Sequence, residues 1–169
     1  MKKIRLIIYY MIASKLPSSC YPFGKIFNRI RIKTLNKIIP IGENSIIERN
    51  VYIGDGNDVS IGRNCQINEN VRLDNVSIGN NVMIARNVVF LGRMHRFDRM
   101  DIPMIEQGED KMDQTIICDN VWIGINVIVM PGLTIKKGCI LAAAAVLTKN
   151  TRENGIYGGV PAKLLRIRN

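Results

Sequence analysis

The sequence predicts a mainly β chain: a parallel β-helix of about five coils, with a helical N-terminal segment and a long excursion loop. Three observations carry the prediction. Aliphatic or aromatic residues recur about every six positions at Ile41, Ile47, Ile53, Ile61, Ile67, Leu73, Ile78, Ile84 and Phe90, and again at Ile117, Ile123, Val129, Ile135, Leu141 and Leu147. Four places after most of them stands a small or aliphatic residue: Ser45, Val51, Cys65, Val71, Val82, Val88, Val121, Val127, Leu133, Cys139 and Ala145. The pattern then vanishes between Phe90 and Ile117.

A period of six is neither the 3.6 of an amphipathic helix nor the 2 of a single strand. It suits short strands joined by bends. Each block forms one flat face, three faces close a triangular coil, and the residue heading each block points inward. Gly42, Gly62, Gly79, Gly124 and Gly138, and the asparagines near several of them, tolerate the backbone angles of tight corners. Coils stack at the strand spacing of about 4.8 Å, so five of them make a prism about 24 Å tall.

The chain divides into a basic helical segment, residues 1–40, and the β-helix, residues 41–169, which includes the loop 91–116 and a tail 150–169. Residues 1–13, MKKIRLIIYYMIA, read as a short helix. A second helix follows Pro17 and Pro22, with Phe23, Ile26, Phe27 and Ile30 at helical spacing and Lys25, Arg29, Arg31 and Lys33 around that stripe. Residues 1–40 hold nine Lys and Arg and no acid, while the remainder holds fifteen bases against fourteen acids. Such a segment can cap the open end of a solenoid and can lie on an anionic membrane. Nucleic acid is not an expected partner, because no binding motif and no row of aromatics accompanies the bases.

The 169 residues suit one domain with a sizeable core. The apolar run Leu6 to Ala13 falls short of the ~20 residues that cross a bilayer. No A-x-A-like site follows it, and Pro17 stands where a lipoprotein site would need an aliphatic residue. The expectation is a cytoplasmic, uncleaved chain. Cys65 and Cys139 fall in small-residue slots and no C-x-x-C pair exists, which favours buried thiols over a disulfide or a metal site.

The excursion holds the chain's one histidine, His95. A long loop inside a regular scaffold is either functional or disordered. Imidazole is matched to removing a hydroxyl proton near neutral pH. Asp98, three residues on, could orient the ring, as could a backbone carbonyl.

Further motifs stand at fixed places on this scaffold: Asn120-Val121-Trp122-Ile123-Gly124, then Met130-Pro131-Gly132, LAAAAVLTKN at 141–150, and Gly159-Val160-Pro161-Ala162-Lys163. With the sixfold period and GRMHRFD at 92–98, the chain resembles the hexapeptide-repeat acyltransferases, the left-handed β-helix acetyltransferase family. Its layout is most similar to bacterial capsule and lipopolysaccharide sugar O-acetyltransferases. The resemblance implies a left-handed coil, a homotrimer with clefts between subunits, acetyl-CoA as co-substrate and no metal. It implies direct transfer to a sugar hydroxyl with His95 as general base, the acceptor in some relatives being lipid-linked at the inner face of the membrane. It places Trp122, Gly124 and Ala143 along the pantetheine arm, and Thr148, Lys149, Lys163 and Arg166 near the nucleotide phosphates. Asn68 matches an acceptor-binding asparagine and equally suits a solenoid corner. Ala142 and Ala144 stand where the family carries glycines. Carbonic anhydrases of the same fold need three histidines for zinc, which this chain cannot supply. Two rivals remain open: an enzyme of this fold that acetylates a streptogramin, chloramphenicol or an amino sugar, and a non-catalytic solenoid.

Overall fold

A computed structural model describes residues 1–168, Lys111 by its backbone alone. Two helices, α1 (Lys2–Met11) and α2 (Gly24–Leu35), precede a stack of short strands. The strands form three mainly parallel sheets of seven, four and three members, which the chain visits in turn. Ile47, Ile67, Ile84, Ile123 and Leu141 lie in register up the seven-stranded sheet. Ile61, Ile78, Ile117 and Ile135 do the same in the second sheet, and Phe90, Val129 and Leu147 in the third. All of these are buried. Stacking like on like removes each apolar row from water while backbone N–H and C=O groups bond the coils above and below. Ile41, in the first coil, is only half-buried, and so is Leu133.

The corners depend on left-handed backbone. Three residues after a heading position the chain takes positive φ at Asn44, Asn50, Asn64, Asn70, Asn81, Asn87, Asn120 and Asn126, and at Gly132 and Gly138. Asparagine and glycine tolerate this region best. Along one corner the side chains also form a ladder. Asn50 Nδ2 donates to Asn70 Oδ1 (3.3 Å), Asn70 Nδ2 to Asn87 Oδ1 (3.1 Å), and Asn87 Nδ2 to Asn126 Oδ1 (3.0 Å).

The excursion is an antiparallel arm. Strands Arg93–His95 and Glu109–Lys111 pair, with a 3-10 turn at Met104–Glu106 near its tip. Its stems are gripped by the one shortened block of the repeat, Leu73–Ser77. A Cβ at Gly92 would stand 3.0 Å from that of Asp74 and 3.1 Å from that of Asn75. Asn75 Nδ2 donates to Met112 O at 3.0 Å, and Thr115 N donates to Asn75 O at 3.0 Å. The missing residue therefore creates the corner on which the arm is mounted.

The helices close the open edge of the first coil, group by group. Asn28 Oδ1 accepts from Ile47 N (3.0 Å), and Ser14 O accepts from Asn50 N (2.8 Å). Tyr9 donates to Val51 O (2.6 Å); the Tyr10 hydroxyl donates to Gly54 O (2.8 Å) and accepts from Ile53 N (3.1 Å). Arg31, expected on the solvated basic face, is fully buried instead. Its guanidinium donates to the carbonyls of Ala13, Leu16, Pro17 and Ile47, and Glu48 lies 3.9 Å away. One planar five-donor group thereby reaches four carbonyls, of which those of Leu16, Pro17 and Ile47 would otherwise be orphaned.

Arg31→Ala should cost about 3–5 kcal/mol, because it leaves buried carbonyls without donors and removes the cation beside the buried Glu48; urea denaturation measures it. Burial pushes the Tyr10 phenol up from 10.0 to about 12, and the buried Tyr9 is raised as well. A raised phenol stabilises the fold while protonated, so its contribution is complete below pH 10 and is lost as pH climbs toward 12. Helical circular dichroism should fall in step with tyrosinate absorbance across that window.

Candidate active site

His95 ends the first strand of the arm, directly opposite Glu109. Its Nε2 stands 3.8 Å from Glu109 Oε1, and Arg93 Nη1 reaches Glu109 Oε2 at 3.3 Å. Arg93 and His95 share one face of the strand by its twofold alternation. The imidazole is 70 % exposed, so it is presented outward, with a carboxylate beside Nε2 and, among the described residues, no hydrogen-bond partner at the other ring nitrogen. The carboxylate facing the ring is thus Glu109, not Asp98. The hairpin register brings residue 109 across from 95, whereas Asp98 lies beyond the strand, exposed, within the electrostatic reach of Arg96. Arg96 itself is held more firmly protonated by Asp110. Glu109 was not legible beforehand because the pairing register of a fourteen-residue crossing is not written in its composition.

Trp122 lies in the seven-stranded sheet in register with Met83 below and Ile140 above, and it is half exposed. Gly124 is buried, and a Cβ there would come within 2.7 Å of Ala143 N and 2.9 Å of Leu141 O. Its glycine identity is required by close approach to the coil above, which carries Ala142 and Ala143. Ala143, Thr148 and Lys149 are exposed on that top coil. Lys163 and Arg166 lie exposed on the last strand, Lys163–Ile167, at the edge of the same sheet as Trp122. In the order of that sheet Trp122 stands in the fourth strand, Gly124 and Ala143 follow the fourth and fifth, and Lys163 and Arg166 lie in the seventh. Asn68 follows the second. Its Nδ2 donates to Ile84 O at 2.9 Å and its Oδ1 accepts from Gln66 at 3.3 Å, so its amide serves the corner. Among the described residues no hydrogen bond or ion pair joins the arm to Trp122, Ala143, Thr148 or Lys149.

One corner changes character along its length. The residues immediately after the heading positions run Glu48, Asn68, Ala85, Gly124, Ala142, and the next ones Arg49, Glu69, Arg86, Ile125, Ala143. The first row turns from polar to small at Ala85, and the second from charged to apolar at Ile125, so both are free of charge at the last two coils. Ile125, 41 % exposed, belongs to this strip; the signal for it was an aliphatic residue where lower coils place charge. The asparagine ladder stops at the same level. The position above Asn126 is Ala144, whose N donates to Ile125 O and whose φ is 59°, the left-handed region held by asparagine below it.

The family described as bacterial transferase hexapeptide (six repeats) matches residues 58–92 and 114–149. The chain thus carries the hexapeptide repeat of these transferases on both sides of the arm. It is 34% identical over 129 residues to the galactoside O-acetyltransferase of Escherichia coli (strain K12), covering 75% of this chain and 62% of that protein. It is 31% identical over 112 residues to a candidate lipopolysaccharide biosynthesis O-acetyl transferase of the same organism, covering 61% of this chain and 57% of that one. The chain spans about three fifths of the length of these curated relatives. Among solved structures, a galactoside acetyltransferase in complex with coenzyme A superimposes with a TM-score of 0.83 at 29% identity, covering 99% of this chain and 81% of that one.

Left-handed backbone costs an alanine about 1–2 kcal/mol, while glycine's extra freedom offsets part of the relief. Ala144→Gly should therefore stabilise the protein by about 0.5–1 kcal/mol, whereas Ala142→Gly, where φ is not positive, should destabilise it by a similar amount. Paired thermal melts check the contrast in sign.

Proposed function

We propose that the chain is an acetyl-CoA-dependent O-acetyltransferase that moves acetyl to a hydroxyl of a bacterial surface polysaccharide sugar. The observation that carries the reading is the chain's one imidazole, held outward on an arm with Glu109 beside it. The small apolar strip toward one end of the prism, and the hexapeptide repeat the chain shares with O-acetyltransferases, support it. His95 takes the hydroxyl proton as the oxygen attacks the thioester carbonyl. The new C–O bond forms, the C–S bond breaks, and the imidazolium returns the proton to the leaving thiolate. Glu109 orients the ring and steadies the imidazolium.

The pantetheine arm lies along Trp122, Gly124 and Ala143, where small side chains permit close approach. Thr148, Lys149, Lys163 and Arg166 meet the nucleotide phosphates. Asn68 keeps one capability toward the acceptor: its Oδ1 can receive a sugar hydroxyl. Asp98 acts only through the field at Arg96.

The working assembly is a homotrimer of left-handed coils. The arm's Phe97, Met100, Met104 and Ile105 are exposed, and so are Ile46, Met83 and Trp122 along one flat face. Apolar surface of this extent calls for a partner, and a three-sided prism suits threefold packing, in which the arm of one copy reaches the strip of the next. Residues 1–40 serve as the cap and residues 41–169 as the transferring body, in the cytoplasm where acetyl-CoA is made.

His95→Ala should lower acetyl transfer by about 10²–10⁴-fold and leave coenzyme A binding unchanged. Glu109→Gln should lower transfer by about tenfold at unchanged binding. Thiol release from acetyl-CoA with sugar acceptors, beside a thermal shift with coenzyme A, reads both. Near-normal turnover in His95→Ala removes the assignment.

A further inference from the structure

We propose that the two-helix cap is a docking surface for an anionic lipid bilayer, with a phosphate-bearing headgroup seated in the cleft between α1 and α2. The proposal stands independently of acetyl transfer. Helix α1 carries two apolar stripes at helical spacing, and the fold uses one. Leu6, Tyr9, Tyr10 and Ala13 pack inward on the core. Ile4, Ile7, Ile8 and Met11 form the other and are 64, 61, 44 and 72 % exposed. Phe23, Ile26 and Ile30 extend this surface across α2 and are likewise exposed. Phe23 holds left-handed backbone at φ 62°, an uncommon conformation for a bulky residue, with its ring in solvent.

The two outward stripes meet in a cleft of about 390 Å³ lined by Ile8 and Ile30, with Arg5, Lys33, Thr34 and Lys37 forming the rest of its wall. Lys3, Lys25, Arg29, Lys33 and Lys37 are exposed and make no ion pair among the described residues. The cap has no acid of its own. The surface is thus both apolar and cationic, which selects its occupant. A second copy of the same surface would set like charges against one another. Nucleic acid would neutralise the bases and leave five isoleucines in water. A bilayer with anionic headgroups meets both demands: the apolar row enters the headgroup–acyl boundary while the bases meet phosphate. No helix of the described residues is long and apolar enough to cross a membrane, so the contact is peripheral.

Co-sedimentation of the full chain with lipid vesicles tests this without any acetyl donor. Vesicles containing about 30 mol % phosphatidylglycerol should bind at least tenfold more tightly than pure phosphatidylcholine, and added salt should weaken the binding. Lys33→Gln with Lys37→Gln should weaken it about thirtyfold, from about 1 kcal/mol per cation at the surface. Ile4→Ser with Ile7→Ser should reduce it to the level of phosphatidylcholine vesicles. Both double variants alter exposed side chains and should keep wild-type circular dichroism. Equal binding to the two vesicle types, wild-type binding by either variant, or a solution mass that falls when Ile4 and Ile7 are replaced would each overturn the proposal, the last by showing that this face joins copies of the chain.

Discussion

Every coil spends its backbone hydrogen bonds vertically, on the coil above and the coil below. From that constraint the rest of the structure follows. It demands that each corner bring the chain back into register, which is why left-handed asparagine or glycine recurs three residues after the heading aliphatics. It also leaves an unsatisfied edge at each end of the stack, and exposed edges invite pairing with other chains. At the first coil the edge is closed by side chains from the helices, chiefly Tyr9, Tyr10, Asn28 and the buried Arg31. At the last coil the chain turns back on itself: Gly155–Gly158 pairs with Lys163–Ile167 in the antiparallel sense.

Two irregularities of this otherwise repetitive stack fall where chemistry is proposed. The one shortened block, Leu73–Ser77, supplies Asn75 to hold the stems of the arm that bears His95. The asparagine ladder ends below Ala144, and charged corner residues give way to Ile125, Ala142 and Ala143 at the same coils. A methyl in left-handed backbone has a local cost. It also keeps that corner smooth, since an asparagine there would project an amide beside the proposed thioester path. Departures from local consistency concentrated at one region are the usual mark of a functional site in a repetitive scaffold.

Much of the fold was legible in the amino-acid order, because a sixfold recurrence of aliphatic residues has few physical interpretations. The inward rows from Ile47 to Leu147 and the positions of both helices followed from spacing alone. What escaped depends on pairing between distant segments. Arg31 reads as one more surface base of an amphipathic helix until the carbonyls of Ala13, Leu16, Pro17 and Ile47 are placed around it. Glu109 reads as a loop acid until the arm's register sets it against His95, and Asp98 drew attention only by sequence proximity. Asn68 matched a motif, yet its amide is engaged by Ile84 and Gln66 at the corner. The outward stripe of α1 lay in plain view as Ile4, Ile7, Ile8 and Met11, but only the packing of Tyr9 showed which stripe the core uses.

A crystal structure of the full chain with coenzyme A tests the central claim most directly. The account predicts the pantetheine arm on the strip formed by Trp122, Gly124 and Ala143, with its sulfur about 3–3.5 Å from a ring nitrogen of His95 supplied by an adjacent copy. Coenzyme A bound elsewhere, or a thiol with no imidazole in reach, would contradict it.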